Sequence, residues 1–152
     1  MIYTQERSAP SVMSRTSNVT SLFERVQNDG YEQIVFCHDQ SVGLKAIIAI
    51  HDSTLGPGTG GCRMYPYATE ADAIEDVLRL SKGMTYKAAL ANLELGGGKA
   101  VIIGDSKKIK TPELLRRFGQ FVDRLGGNYI TAKDVGINGD DLRMMKTQTK
   151  HI

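Results

Sequence analysis

Two lysines and an aspartate are the residues of this 152-residue sequence whose types and surroundings could do chemistry. Lys87 and Lys99 lie within Met84-Thr-Tyr-Lys87-Ala-Ala-Leu-Ala-Asn-Leu-Glu-Leu-Gly96-Gly97-Gly98-Lys99-Ala-Val-Ile-Ile-Gly-Asp105, an otherwise largely apolar stretch with a triple-glycine turn. An ammonium group normally stays in water. A desolvated one loses basicity and needs an anion, from the protein or from a ligand, to remain charged. Asp134, in Tyr129-Ile-Thr-Ala-Lys-Asp134-Val-Gly136, is the candidate carboxylate. A lysine beside a carboxylate makes an acid/base pair suited to proton transfer near neutral pH. Each residue also has a plainer reading. Lys87 could snorkel at a helix end, Lys99 could be exposed after a tight helix-to-strand connection, and Asp134 could be an ordinary loop or cap aspartate.

The elements that must position these groups can be read from periodicity. Residues 1 to 17, rich in Ser, Thr and Arg and without a repeat, read as a loose arm, followed by one unit over 18–152. A short helix from Asn18 would place Leu22, Phe23 and Val26 on one face and end at Gly30. Ile34–Cys37 and Leu44–Ile50 read as a β-hairpin across Asp39–Gly43. Thr69-Glu-Ala-Asp72 has the form of a capping box and opens the longest helical pattern. On it Ala73, Val77, Leu80, Met84 and Lys87 fall on one stripe, the expected buried face, with Lys82 opposite as a solvated lysine.

Ala100–Ile103 lacks polar alternation, as in a strand covered on both faces. Thr111-Pro112 starts a helix carrying Leu114, Leu115, Phe118, Val122 and Leu125. Tyr129–Ala132 is a short strand, Lys133–Gly136 the loop at its end, and Asp140–Lys146 a last helix. Alternating strands and helices after a hairpin predict an α/β, three-layer domain with a mixed, partly parallel sheet. Ligands of such sheets collect at the C-terminal strand ends, where Asp134 lies.

The glycine motifs are weaker than they look. Gly56-Pro-Gly58-Thr-Gly60-Gly61 fits the dinucleotide spacing, but Cys62-Arg-Met-Tyr-Pro follows where a helix should start. A flexible, substrate-lining loop is the better reading. Gly96-Gly97-Gly98-Lys99 echoes a phosphate loop, yet no Ser or Thr follows the lysine and the glycines precede a strand. Nucleotide binding is therefore disfavoured.

Composition narrows the class further. With 41% hydrophobic residues, the chain can bury a core. Nineteen basic against seventeen acidic residues give a net charge of +2, too little to steer it to nucleic acid or an anionic membrane, so a small-molecule partner is expected. Cys37 and Cys62 have no Cys-x-x-Cys spacing and no histidine placed to complete a zinc site, so no metal site is expected. Free thiols, no apolar run long enough to span a membrane and no signal-peptide core point to the cytoplasm.

Taken together, Gly60-Gly61-Cys-Arg-Met, Lys82-Gly-Met84-Thr-Tyr-Lys87, Leu95-Gly-Gly-Gly-Lys99-Ala-Val-Ile-Ile-Gly-Asp105 and Tyr129-Ile-Thr-Ala-Lys-Asp134-Val-Gly136 resemble the N-terminal, substrate-binding and dimerisation domain of the Glu/Leu/Phe/Val amino-acid dehydrogenases. The leucine type is nearest, and the resemblance runs from about Ile34 to Lys146. It implies that Lys87 binds the substrate α-carboxylate, that Lys99 activates water and stabilises the carbinolamine oxyanion, and that Asp134 shuttles protons. Gly60, Gly61 and Met84 would line the site, with Thr59 near the substrate side chain, where the leucine type has a larger apolar residue. Ala132 matches the leucine pattern. The implied reaction is reversible oxidative deamination of a branched-chain L-amino acid with NAD, by a homo-oligomer. Phenylalanine- or valine-type specificity and an inert assembly module are the alternatives. The NAD-binding Rossmann domain of the family has no counterpart in the sequence, so the chain alone is expected to be inactive.

Overall fold

The computed structural model describes residues 21–152, so the arm expected over 1–17 lies outside the described residues. A short helix, α1 (Leu22–Asp29), is followed by a hairpin of β1 (Gln33–Asp39) and β2 (Leu44–Asp52) joined by a 3-10 turn over Gln40–Val42. Then come β3 (Gly58–Tyr65), α2 (Glu70–Leu90), β4 (Gly96–Ile103), α3 (Pro112–Asp123), β5 (Tyr129–Lys133) and α4 (Gly139–Lys146). The caps are those the sequence provides. Thr69 and Asp72 close a capping box on α2, the Thr111 hydroxyl accepts from the Leu114 N–H to start α3, and Gly30 adopts φ 78° to end α1.

The five strands form one sheet in the order β1-β2-β4-β3-β5. β2 pairs antiparallel with β1 and β4, and β3 pairs parallel with β4 and β5, which is the expected mixed sheet. Both faces are covered. On one, Leu44, Ile48, Met64 and Ile102 pack against Leu114, Phe118, Val122 and Met145 of α3 and α4. On the other, Ile47, Ala49 and Val101 pack against Ala73, Val77 and Leu78 of α2. Alternate residues of the central strand β4 therefore serve two cores, which explains why it lacks polar alternation.

Four expectations are corrected. Phe23 is not on the buried face of α1 but 85% exposed, while Leu22 and Val26 do pack inward. The Gly58–Gly61 segment is not a flexible loop but the first half of β3. Gly96–Gly98 is not a turn but the start of β4, the turn falling over 91–95 instead.

The fourth concerns α2, whose buried residues are Ala73, Val77, Leu78, Ser81 and Ala88, a stripe rotated away from Lys87. The cause is Gly97. A Cβ there would lie 2.0 Å from Thr85 Oγ1 and 2.5 Å from the Ser81 carbonyl, so the helix sits directly on the strand through small polar residues. Hydrophobic periodicity does not see such a contact. Lys87 is left exposed on the flank, with Leu80 and Met84 half-buried. Lys82 is not simply solvated, since its ammonium meets Asp29 of α1 at 2.8 Å.

Gly97→Ala tests this packing. Overfilling the contact should lower the unfolding free energy by about 1–3 kcal/mol in urea denaturation, and an unchanged midpoint would show that α2 does not depend on it.

Candidate active site

Directly paired residues project from the same sheet face. Ala49 pairs with Lys99, Thr59 with Gly97 and Ile130, and Gly61 with Ala132, so all of these share the face that α2 covers. The helix runs along β2 and β4 and barely reaches β3. Thr59, Gly61 and Arg63 of β3 with Ile130 and Ala132 of β5 thus form a floor beside its flank.

Lys99 lies at the border of the covered and open parts, in the middle of β4, and only 6% of it is exposed. Its ammonium is hydrogen-bonded to Asp134 Oδ2. The aspartate follows β5, so β3 stands between the two, and Gly61 makes the meeting possible. A Cβ on Gly61 would come 2.6 Å from the Lys133 carbonyl and 2.9 Å from Asp134 Cβ. Gly60 is equally constrained, since its Cβ would lie 1.8 Å from the Gly98 carbonyl oxygen, and its own carbonyl accepts from the Tyr129 hydroxyl at 2.7 Å. Burial holds that phenol well above its usual range, so it remains a donor.

The loop that carries Asp134 is fixed from behind. The Met64 N–H donates to the Val135 carbonyl at 2.8 Å and the Ile137 N–H to the Asp134 carbonyl at 3.0 Å. Gly136, at φ 76°, packs where a side chain would strike the Met64 carbonyl. Lys110 reaches over to donate to the Gly136 carbonyl at 3.0 Å and to Asp141 Oδ2 at 2.7 Å. The Asp141 carboxylate also caps α4 by accepting from the Asn138 N–H.

Electrostatics keep Asp134 ionised. Burial alone would make the carboxyl harder to ionise, but the hydrogen bond from Lys99, the Val135 N–H at 2.6 Å and the nearby Arg63 guanidinium outweigh that and hold it below the usual carboxylate range. The result is a mostly buried lysine–aspartate pair open on one side to the floor. Such a pair can donate a proton at Nζ and accept one at Oδ2.

A second set of candidate residues gathers a short way along the flank of α2. Thr59, Met84, Lys87, Ala88, Leu93 and Leu95 line a cavity of about 160 Å³. The chemical case for Lys87 therefore changes. It is an exposed ammonium at the rim of an apolar cavity, with no carboxylate within ion-pair distance among the described residues, and so is available to an anionic ligand. Ala132 is exposed on the floor and does not line that cavity.

Motif reading passed over Arg63, which lies between Asp134 and Asp76 of α2, and Lys110. The signal for Arg63 was present, because it follows the site glycines two residues after Gly61 on the same face. Lys110 carried no signal, since its partners Gly136 and Asp141 are distant in sequence.

The run with dinucleotide spacing does not fit that role. The Gly-x-Gly-x-x-Gly run continues as strand β3, so no helix N-terminus is presented to a pyrophosphate. Burial pushes the Cys37 thiol up to about 11 and Cys62 higher still, so neither is a nucleophile. No group of three metal-binding side chains occurs among the described residues.

Comparison with known proteins shows the family. The family described as "Glu/Leu/Phe/Val dehydrogenase, dimerisation domain" matches residues 31–151. Phenylalanine dehydrogenase of Bacillus thermotolerans is 57% identical over 87% of the chain and 34% of its own length. Leucine dehydrogenase of Bacillus subtilis is 54% identical over 86% of the chain and 36% of its own length. The crystal structure of L-tryptophan dehydrogenase from Nostoc punctiforme superposes with a TM-score of 0.83 at 54% identity, over 86% of this chain and 39% of that one. The chain spans about a third of the length of the curated relatives it matches. With the family matched over most of its residues, the chain belongs to the Glu/Leu/Phe/Val dehydrogenases and corresponds to their N-terminal dimerisation domain.

Proposed function

We propose that residues 18–152 form the amino-acid-binding and oligomerisation unit of an NAD-dependent L-amino-acid dehydrogenase, which interconverts a nonpolar amino acid with its 2-oxo acid and ammonium. The observation that carries this reading is the Lys99–Asp134 pair, opening beside an apolar cavity whose rim bears the Lys87 ammonium. The relatives named above act on phenylalanine, leucine and tryptophan, and a branched-chain substrate is our choice among such side chains because Ala132 follows the leucine pattern. An oligomer is proposed on the family description, and a cytoplasmic setting on the two buried, unbridged cysteines.

In this reading Lys87 binds the α-carboxylate and so orients the substrate, whose side chain enters the cavity past Thr59 and Met84. Gly60 and Gly61 expose backbone to the reacting carbon, with Ala132 beside them on the floor. When water adds to the imino carbon, Asp134 Oδ2 takes its proton and the Lys99 ammonium stabilises the oxygen of the carbinolamine. Burial strengthens that stabilisation relative to water. The hydride acceptor would be NAD, and no described residue is assigned to it.

Calorimetric titration of the chain with 4-methyl-2-oxopentanoate and with phenylpyruvate tests the binding half of the proposal. We expect saturable binding that weakens at least about tenfold in Lys87→Ala, as the loss of a charge-assisted contact predicts. Tight binding of NAD or ATP without 2-oxo acid binding would refute it.

The chemical half is tested in a dehydrogenase that contains this chain. Lys99→Ala should lower kcat by about 10²–10⁴-fold with a much smaller change in KM, whereas Lys87→Ala should act chiefly on KM. Turnover surviving intact in Lys99→Ala would remove the lysine from the mechanism.

A further inference from the structure

The two oxygens of Asp134 are held unequally. Oδ2 faces the Lys99 ammonium, whereas Oδ1 accepts the Val135 N–H at 2.6 Å and lies 3.6 Å from Arg63 Nη2, an ion-pair contact without a hydrogen bond. Arg63 is itself fixed. Its Nη1 donates to Asp76 Oδ2 at 2.9 Å, and Asp76 also accepts from the Tyr67 hydroxyl and from Arg79 Nη2, each at 2.7 Å. The side chains of Asp134 and Asp76 are 16% exposed and that of Arg63 23%. One planar guanidinium is thus held between two mostly buried carboxylates, one on the loop after β5 and the other on α2.

We infer that Arg63 is a positioning residue for the proton transfers: together with the Val135 N–H it anchors Asp134 Oδ1, leaving Oδ2 as the one oxygen that exchanges protons with Lys99 or with water. This rests on the reading of Lys99 and Asp134 as the acid/base pair. A guanidinium suits the task because its fork engages two carboxylates from fixed directions, which a single ammonium cannot do. The arrangement has a second effect. Asp76 belongs to the helix that also bears Met84 and Lys87, so the proton-transferring carboxylate is tied to the element that carries the proposed substrate contacts.

The charged groups around Asp134 are Lys99 from β4 and Arg63 from β3, and behind Arg63 stand Asp76 and Arg79 of α2 with the Tyr67 phenol. A carboxylate that loses a cationic neighbour is protonated more easily. The test follows the Asp134 side-chain carboxyl carbon by NMR as the pH is varied, in the whole chain and in Arg63→Lys, Arg63→Gln and Arg63→Met, with the amide spectrum reporting that each variant is folded. The expected result is an upward shift of the Asp134 titration, small in Arg63→Lys and larger in Arg63→Gln and Arg63→Met. Should Arg63→Met fail to fold, the other two decide. A titration that stays in place in the folded variants would overturn the inference.

Titrating the same samples with 4-methyl-2-oxopentanoate separates this inference from the functional reading on which it rests. A moved Asp134 titration without 2-oxo acid binding supports the anchoring and counts against the substrate reading. An unmoved titration with intact binding does the reverse.

Discussion

An ammonium on one strand meets a carboxylate from beyond the neighbouring strand, and the rest of the site depends on that meeting. Lys99 and Asp134 belong to β4 and to the loop after β5, with β3 between them. Side chains on such strands normally stand up from the sheet and would block contact across the middle one. Gly61 removes the obstacle, and Gly60, Gly97 and Gly98 bring β3, β5 and α2 close enough for the contact to be enclosed. These four glycines of β3 and β4 thus act by what they omit. Their value lies less in backbone freedom than in volume, which agrees with their lying in regular strands.

Burying an ion pair is costly unless the remaining polar atoms are satisfied. Here the carboxylate is answered on both oxygens, and the cation that supports it is answered through Nη1 by Asp76, itself held by Tyr67 and Arg79, although the Arg63 Nε is buried without a partner among the described residues. The result is an alternating row of charges from Lys99 through Asp134, Arg63 and Asp76 to Arg79, running from the deeply buried Lys99 toward the largely exposed Arg79. Such a row keeps Asp134 ionised while leaving it beside an open floor, the condition a proton acceptor requires. On the far side, the Lys110 bridge to Gly136 and Asp141 keeps the loop from yielding to that pull.

Much of the fold could be read from the chain because local signals agreed with one another. The capping box at Thr69, the proline after Thr111 and the unbroken apolar run of Ala100–Ile103 each marked an element that the structure contains. The mixed sheet followed from their order. Apart from the exposed Phe23 of α1, the corrections share one origin. Gly58–Gly61 and Gly96–Gly98 were read as turn formers because glycine is usually found there, whereas here it serves close approach between elements distant in sequence. The same contact placed Ser81 and Thr85 against the sheet and turned Lys87 outward. For the site, motif spacing singled out Lys99 and Asp134, which the fold does join, while Arg63 and Lys110 emerged only when tertiary contacts were known, because a supporting ion pair leaves no spacing of its own.

The meeting of the two charges, on which the proposed chemistry rests, depends on a steric absence at Gly61. The most direct test is a crystal structure of the full chain carrying Gly61→Ala. The account predicts an otherwise unchanged sheet in which the Lys133–Asp134 segment has moved off β3 and the Asp134 carboxylate has separated from Lys99. A Gly61→Ala structure with the lysine–aspartate hydrogen bond still in place would contradict it.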